Sequence, residues 1–232
     1  MIFFGTNNLA CTVLSELLEG GFSFDAVVTQ PDKPVGRGKK LQAPPIKRLA
    51  EKYNIPVLQF AKLDSDAQAQ LVTHNADLFI VAEYGLLIPP AVLDLPRHGT
   101  LNVHPSMLPE YRGATPIQSA LISGQTMSGV TVMLLDEGMD HGPIITQATA
   151  PIADEDTYIT LEEKLGRLGA ELLKKNIQPW LDGKITAKEQ YHAAATFCSK
   201  IQKKDGLIQW SDSAENITNK WRAYAKWPGV FS

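Results

Sequence analysis

The pattern of apolar and polar positions divides the chain into short apolar runs and longer amphipathic segments. The apolar runs are rich in β-branched and aromatic residues, which is typical of short buried strands. They predict strands over residues 1–4, 25–30, 77–82, 100–104, 130–135 and 143–150.

Helical patterns lie between and after these strands. An i, i+4 stripe of apolar residues begins at Leu9 and ends before Gly20-Gly21, where glycine supplies a left-handed cap. Further helices are predicted over 46–53, over 65–75 with Ser65 as the N-cap, over 116–122 with proline in the first turn, and over 157–173. The alternation predicts an α/β fold with a doubly wound, mostly parallel, Rossmann-like sheet.

The pattern weakens towards the end of the chain. Periodicity fades from residue 182 to residue 200, where small or polar residues dominate, as is typical of a linker. The rest, to Ser232, is too short to fold alone as a domain.

Composition narrows the classes of protein that fit this pattern. The 232 residues can bury one substantial core, and no export signal or membrane-spanning stretch is indicated. Cys11 and Cys198 lie far apart without metal-ligand spacing, so neither a disulfide framework nor a metal site is predicted. We therefore expect a cytoplasmic protein that needs no metal and contacts no membrane.

Charge is unevenly distributed. The net charge of −3 argues against a broad basic surface that coats nucleic acid. Residues 32–48 nevertheless carry six bases and one acid among prolines and glycines, which predicts a basic, flexible loop suited to phosphates, or simply a solvated surface loop. The six bases are Lys33, Arg37, Lys39, Lys40, Lys47 and Arg48.

The first turn gives no support for a dinucleotide site. After Gly5 it lacks the second and third glycines that let a pyrophosphate approach a helix. No phosphate-binding loop, nucleophile elbow or paired-histidine zinc helix is present in the sequence.

Candidate chemistry lies at the end of the strand predicted over residues 100–104. Asn102 and His104 occupy alternate positions, so their side chains emerge on one face near the carboxyl end, where ligands bind in open α/β sheets. Each residue also fits a structural role. A glycine-rich loop over 136–143 follows another strand and can aim Asp140 at His104, although an acidic turn has the same composition.

Amide, imidazole and carboxylate are the groups that acyl transfer to an amine requires. Attack on a formyl carbon creates an oxyanion and a cationic nitrogen. Asn102 can donate to the oxyanion, as can protonated His104, and Asp140 can favour the charged imidazole or relay a proton.

The same residues resemble a known signature. The run from Asn102 to Pro109, followed by Arg112-Gly113 and Asp140-His141-Gly142, is similar to the signature of the folate-dependent formyltransferases. The resemblance implies a catalytic trio of Asn102, His104 and Asp140, with 10-formyltetrahydrofolate as formyl donor. It also implies folate contacts from Ser106, Met107, Leu108 and Pro109.

Four positions depart from the family pattern. Met107 stands where leucine is usual, and His141 stands where threonine is common. Glu83 and Lys226 also differ from the usual residues. For the folate ring we predict a cleft between His104 and the loop over 136–142, and its predicted walls are Tyr84, Leu86, Leu108 and Leu135.

Segments outside the trio indicate the acceptor. Residues 29–41 resemble an inserted loop by which some family members contact the acceptor end of initiator methionyl-tRNA, which implies tRNA contacts from Arg37, Lys39 and Lys40. The resemblance also implies a catalytic domain over 1–183, a linker over 184–205 and the beginning of a truncated C-terminal tRNA-binding domain over 206–232.

The sequence therefore predicts a monomeric enzyme that formylates methionyl initiator tRNA. A formyltransferase for a small amine such as an amino sugar nucleotide shares the trio, as does a formyltetrahydrofolate hydrolase. A non-catalytic folate-binding or RNA-binding module is the third hypothesis. The basic loop favours tRNA over a small acceptor, and retention of the whole trio disfavours a non-catalytic module.

Overall fold

Seven strands form a central sheet in a computed structural model that describes residues 1–35 and 38–232. The strands of the described residues are β1 (Ile2–Gly5), β2 (Ala26–Thr29), β3 (Lys33–Val35), β4 (Lys40–Gln42), β5 (Val57–Gln59), β6 (Phe79–Ala82), β7 (Thr100–His104), β8 (Arg112–Gly113), β9 (Met127–Leu134), β10 (Ile144–Pro151) and β11 (Phe197–Cys198). The order of the seven strands across the central sheet is β10-β9-β7-β6-β1-β2-β5.

Five neighbouring strands of the sheet, from β5 to β7, are parallel. β9 runs antiparallel to both β7 and β10. Parallel strands need a crossover connection, which the helices provide. The helices are α1 (Asn8–Glu19), α2 (Pro45–Lys52), α3 (Ser65–Val72), α4 (Pro90–Leu93), α5 (Pro116–Ile122), α6 (Tyr158–Leu181) and α7 (Ala214–Ala223).

Side chains of β1 alternate between two hydrophobic clusters. Phe3 packs with the cluster that contains α1 and α6, whereas Ile2 and Phe4 pack with the cluster that contains α3. Both faces of the sheet are therefore covered, as the period-2 geometry of strands requires for a fully apolar run.

Two glycines let helix α6 pack closely on its neighbours, Gly169 against the sheet and Gly166 against α1. A Cβ at Gly169 would stand 2.5 Å from Val103 Cγ1, and one at Gly166 would stand 3.0 Å from Thr12. The close approach presses α6 against β7, the strand that carries Asn102 and His104.

The predicted α/β fold and all six predicted strands are confirmed, with ends that shift by a few residues. The predicted Ser65 cap is wrong, because Asp64 is the N-cap and its carboxylate accepts from the Ala67 amide at 3.3 Å. The helix predicted over 157–173 continues to Leu181, since Ile177 extends its buried stripe. The pattern missed β5, whose three residues are only half-buried.

Two segments expected to be irregular contain strands. Part of the basic loop is a hairpin in which β3 and β4 pair, with Lys33 opposite Gln42. In the predicted linker, β11 pairs with β8 and Lys188 bridges Ile144. Hydrogen bonding to the catalytic part therefore orders the linker despite its lack of hydrophobic periodicity. Among the described residues, no helix is long and apolar enough to cross a membrane.

Candidate active site

Strand β7 delivers Asn102 and His104 to the carboxyl edge of the sheet. Both side chains are buried, and both line the same cavity. Asp140 lines that cavity from the loop between β9 and β10. The structure thus brings the predicted trio together, although the three residues come from segments almost forty positions apart.

The ring of His104 lies between two acceptors. Its Nε2 is 3.0 Å from the carbonyl oxygen of Tyr111, and its Nδ1 is 3.5 Å from Asp140 Oδ1. Because a carbonyl can only accept, Nε2 carries hydrogen and donates to it. Nδ1 then faces the Asp140 carboxylate on the other side of the ring.

Asp140 is held by the backbone around it. Its φ of +49° places it in the left-handed region, and its Oδ2 accepts from the Gly113 amide at 2.8 Å. Gly113 itself has φ +118°, and a Cβ there would stand 2.2 Å from the Cys198 carbonyl oxygen. This site therefore needs glycine at position 113 for both backbone conformation and close packing.

Three polar residues that were not predicted as site residues support the Asp140 loop. The side-chain amide of Gln190 donates to the carbonyl oxygens of Asp140 and Gly142 at 3.0 and 2.8 Å. Arg112 donates to Gln190 Oε1 at 2.6 Å and contacts His192 Nδ1 at 2.8 Å. No hydrophobic periodicity marks these residues. Gln190 and Arg112 are separated by 78 positions, so the sequence alone does not show that they are neighbours.

His141, one of the departures from the family pattern, is on the solvent-exposed side of the same loop. Its ring stacks on His192 with centroids 4.0 Å apart, and its Nδ1 lies 2.7 Å from Asp136 Oδ2. These contacts tie the glycine-rich loop to the predicted linker.

The cavity beside the trio has a volume of about 370 Å³ and is called the main cavity below. Tyr84, Leu86 and Leu135 line it, as the sequence predicted for the folate cleft. Burial raises the pKa of the Tyr84 phenol to about 12, so this wall stays neutral. Apolar walls with a few convergent polar groups are typical of small-molecule sites.

Leu108, the fourth predicted wall residue, does not line the main cavity. Leu108 is buried, and neither it nor Ser106, Met107 or Pro109 lines the main cavity. The segment instead turns back on itself: Ser106 Oγ donates to the Glu110 carbonyl at 2.6 Å, and the Leu108 amide donates to Thr131 Oγ1 at 3.0 Å. It therefore supports the backbone after His104, and its folate contacts stay a prediction.

Two of the three predicted tRNA-contacting residues fall on the β3–β4 hairpin, which follows β2 in the chain. Lys39 and Lys40 are exposed on the β3–β4 hairpin, whereas Arg37 lies outside the described residues. Gln30, which precedes the hairpin, donates from its side-chain amide to the Tyr84 carbonyl at 2.8 Å. The base of the hairpin is thereby fixed to a wall of the main cavity.

No cluster of three or more histidine, cysteine, aspartate or glutamate side chains in the described part of the chain could hold a metal ion.

Family models match two parts of the chain. A family model described as "Formyl transferase" matches residues 1–177, and one described as "Formyl transferase, C-terminal domain" matches residues 200–232.

Curated relatives match over the whole chain. Methionyl-tRNA formyltransferase of Thermodesulfovibrio yellowstonii is 45% identical over 233 residues, which is 100% of this chain and 75% of the relative. The enzyme of the same name from Stutzerimonas stutzeri is 44% identical over 229 residues, covering 98% of this chain and 73% of the relative.

Among solved structures, an N-formyltransferase from Helicobacter canadensis in complex with folinic acid and dTDP-3-aminofucose shares the fold. Its TM-score is 0.71 at 24% identity, with 96% of this chain and 79% of that chain covered.

Proposed function

Because the chain belongs to the formyl transferase family, we propose that it transfers the formyl group of 10-formyltetrahydrofolate to the amino group of methionyl initiator tRNA. The match of curated methionyl-tRNA formyltransferases over 100% of the chain, at up to 45% identity, carries this proposal. The main cavity supports it, since all three groups needed for formyl transfer line one space.

The folate donor fits the main cavity on chemical grounds. A flat heterocycle needs apolar walls, which Tyr84, Leu86 and Leu135 provide, and polar groups near its reactive substituent. The volume of about 370 Å³ lies within the range of small-molecule sites.

Asn102 and His104 act on the oxygen of the formyl group. The amine nitrogen attacks the formyl carbon, and the carbonyl electron pair moves onto oxygen to give a tetrahedral oxyanion. The Asn102 side-chain amide has no hydrogen-bond partner among the described residues and lines the main cavity, so it is available as a donor. A donor held in place before the reaction stabilises this charge without reorganisation.

Asp140 orients the His104 ring through the contact between its carboxylate and Nδ1. When the oxyanion collapses, the C–N10 bond breaks and N10 takes up a proton. We assign this proton to His104 Nε2, whose contact with the Tyr111 carbonyl must open first. The Gly113 amide and Gln190 hold Asp140 and its loop, which keeps the carboxylate 3.5 Å from the ring. Their contribution is preorganisation of the trio.

For the acceptor, we propose that the exposed hairpin lysines contact phosphates of the tRNA. Lys39 and Lys40 present charge on the exposed hairpin, while Lys47 is paired with Asp32 at 2.9 Å and supports the fold. An amino sugar nucleotide has no polynucleotide backbone that the hairpin lysines could contact. The likeness to the sugar-amine enzyme, at 24% identity, shows the shared fold alone.

An acceptor panel tests the proposed function. The chain is incubated with 10-formyltetrahydrofolate and, separately, methionyl initiator tRNA, dTDP-3-aminofucose, glycinamide ribonucleotide or buffer, and tetrahydrofolate production is followed. We expect turnover with methionyl-tRNA to exceed the other three by at least about tenfold. Turnover only with the sugar nucleotide, or equal turnover in buffer, would contradict the proposal.

A further inference from the structure

A second cavity, of about 400 Å³, adjoins the main cavity on the side of α6. Glu83 and Tyr158 line both cavities. Lys226 lines only the second, so the two departures from the family pattern at Glu83 and Lys226 meet in one place.

The carboxyl group of Glu83 has an unusual environment. Its Oε2 is buried and has no hydrogen-bond partner within the described residues, although the residue as a whole is only half-buried. Its backbone has φ +46°, which turns the chain out of β6 immediately before the apolar Tyr84. An unpaired buried carboxyl oxygen is costly and therefore indicates a missing partner.

Glu83 is also placed beside the trio. It directly follows β6, and His104 ends β7; these strands pair through Ala82 and Val103. The two side chains therefore begin at neighbouring strand ends and line one continuous space.

Burial and the groups around Glu83 shift its pKa. Desolvation, followed by the Glu162 carboxylate, raises the pKa of Glu83 to about 7. A hydrogen bond with the Asn7 side chain, the charge of Lys226 and a hydrogen bond with the Leu9 backbone oppose the shift. Lys226 is itself held by Glu162, with Nζ 3.4 Å from both carboxylate oxygens, and lies over the Tyr158 ring. On α1, the Cys11 thiol has its pKa raised to about 11, so it is neutral near pH 7.

We propose that the second cavity is the acceptor subsite and that Glu83 binds the acceptor amine there and removes its proton. This proposal rests on the proposed function for its acceptor, a primary α-amine joined to an aminoacyl ester. Ile201 and Trp227 line the cavity and provide apolar surface for the side chain of the aminoacyl group.

The proton balance of the reaction follows from this placement. A free α-amine has a pKa of about 8, so near neutral pH it arrives mostly as ammonium, which cannot attack carbon. The Glu83 carboxylate binds the ammonium and accepts one proton, and the freed nitrogen lone pair then forms the bond to the formyl carbon. A second nitrogen-bound proton passes to solvent as the amide forms, and His104 protonates the departing N10.

The test is the pH dependence of kcat/KM for methionyl-tRNA in the wild type and in Glu83→Gln. The glutamine keeps the shape of the side chain but cannot accept the proton. The variant therefore uses only acceptor amine that is already deprotonated. We expect a deficit of at least about tenfold at pH 6.5 that shrinks at least about threefold by pH 8.5, with folate affinity unchanged within about twofold.

Two further variants separate this role from a structural one. Lys226→Gln removes the positive charge that lowers the pKa of Glu83, so we expect the acid limb of its pH profile to move to higher pH. Glu51→Gln, an exposed carboxylate on α2 that lines neither cavity, should leave the profile unchanged. Circular dichroism verifies folding of each variant.

A deficit in Glu83→Gln that is equal at every pH, or wild-type kinetics in that variant, would overturn the proposal. Failure of the proposed function is seen separately, in the wild type, as lack of turnover with methionyl-tRNA. If the wild type formylates dTDP-3-aminofucose instead, the same comparison with that amine gives the same two outcomes.

Discussion

At the scale of single residues, the environments of Asn102 and His104 differ although both come from β7. His104 has an acceptor on each side of its ring, whereas the Asn102 amide opens to the main cavity without a partner in the described structure. The orientation of the His104 ring is therefore fixed by its surroundings, whereas the Asn102 amide is available to a group that arrives with the substrate.

Asn102→Ala should lower kcat by at least about a hundredfold while folate affinity changes by less than about twofold. The oxyanion exists only after attack, so a donor to it contributes to the transition state rather than to substrate binding. Single-turnover kinetics and a folate titration of the same preparation measure the two quantities. A loss confined to folate affinity would show that Asn102 binds the donor instead.

Glu83 should make the folded state less stable as pH rises. Its pKa is raised from 4.5 to about 7 on folding, so between these values the native state holds a proton that the unfolded chain has lost. By linkage, stability present at pH 5 declines as pH rises towards 8, by about 1–3 kcal/mol. Urea unfolding of the wild type and Glu83→Gln at four pH values measures this. Parallel stability curves would contradict the shift.

At the scale of elements, the contact between α6 and β7 links stability to the site. Gly169 packs against Val103, which lies between Asn102 and His104 in β7. Any side chain at position 169 must displace the Val103 side chain, the helix or this strand.

Gly169→Ala should destabilise the fold by about 1–2 kcal/mol, because overpacking at 2.5 Å outweighs the gain in helix propensity. Thermal unfolding measures the change, and kcat should fall with it since Val103 must shift. Glu171→Ala, at an exposed position of the same helix, should change stability by less than about 0.5 kcal/mol. An equally stable Gly169→Ala would mean that the α6–β7 contact is looser than described.

The β3–β4 hairpin should act on tRNA through charge. Replacing both Lys39 and Lys40 by Ala should raise KM for methionyl-tRNA. The slope of log kcat/KM against log salt concentration should become less steep by about 0.7–0.9 per lost phosphate contact. Folate affinity should be unchanged. Lys175→Ala, on the exposed face of α6, serves as the control. Identical salt slopes in the double variant and the wild type would make the hairpin a passive surface feature.

At the scale of the whole molecule, the parts of the site that the sequence could predict are those with a local pattern. The alternation in β7 predicted that Asn102 and His104 share a face, and the glycine-rich loop after β9 predicted the place of Asp140. These inferences need only strand periodicity and turn chemistry.

The parts that could not be predicted depend on contacts between distant segments. Gln190 supports the Asp140 loop from a segment without periodicity, and its partner Arg112 lies 78 positions earlier. The buried backbone role of Leu108 likewise depends on Thr131, on another strand. Only tertiary structure brings such polar partners together, so single-residue patterns do not indicate them.

The proposed function requires that this chain transfer the formyl carbon from folate to the methionyl amine with the help of Asn102, His104 and Asp140. The most direct measurement uses 10-formyltetrahydrofolate labelled with ¹³C in the formyl group, followed by mass spectrometry of the methionine released from initiator tRNA. We expect the wild type to place the label on the α-nitrogen of methionine, and His104→Ala or Asp140→Ala to lower this rate by at least about a hundredfold. Label found only in free formate, or undiminished transfer in both variants, would contradict the account.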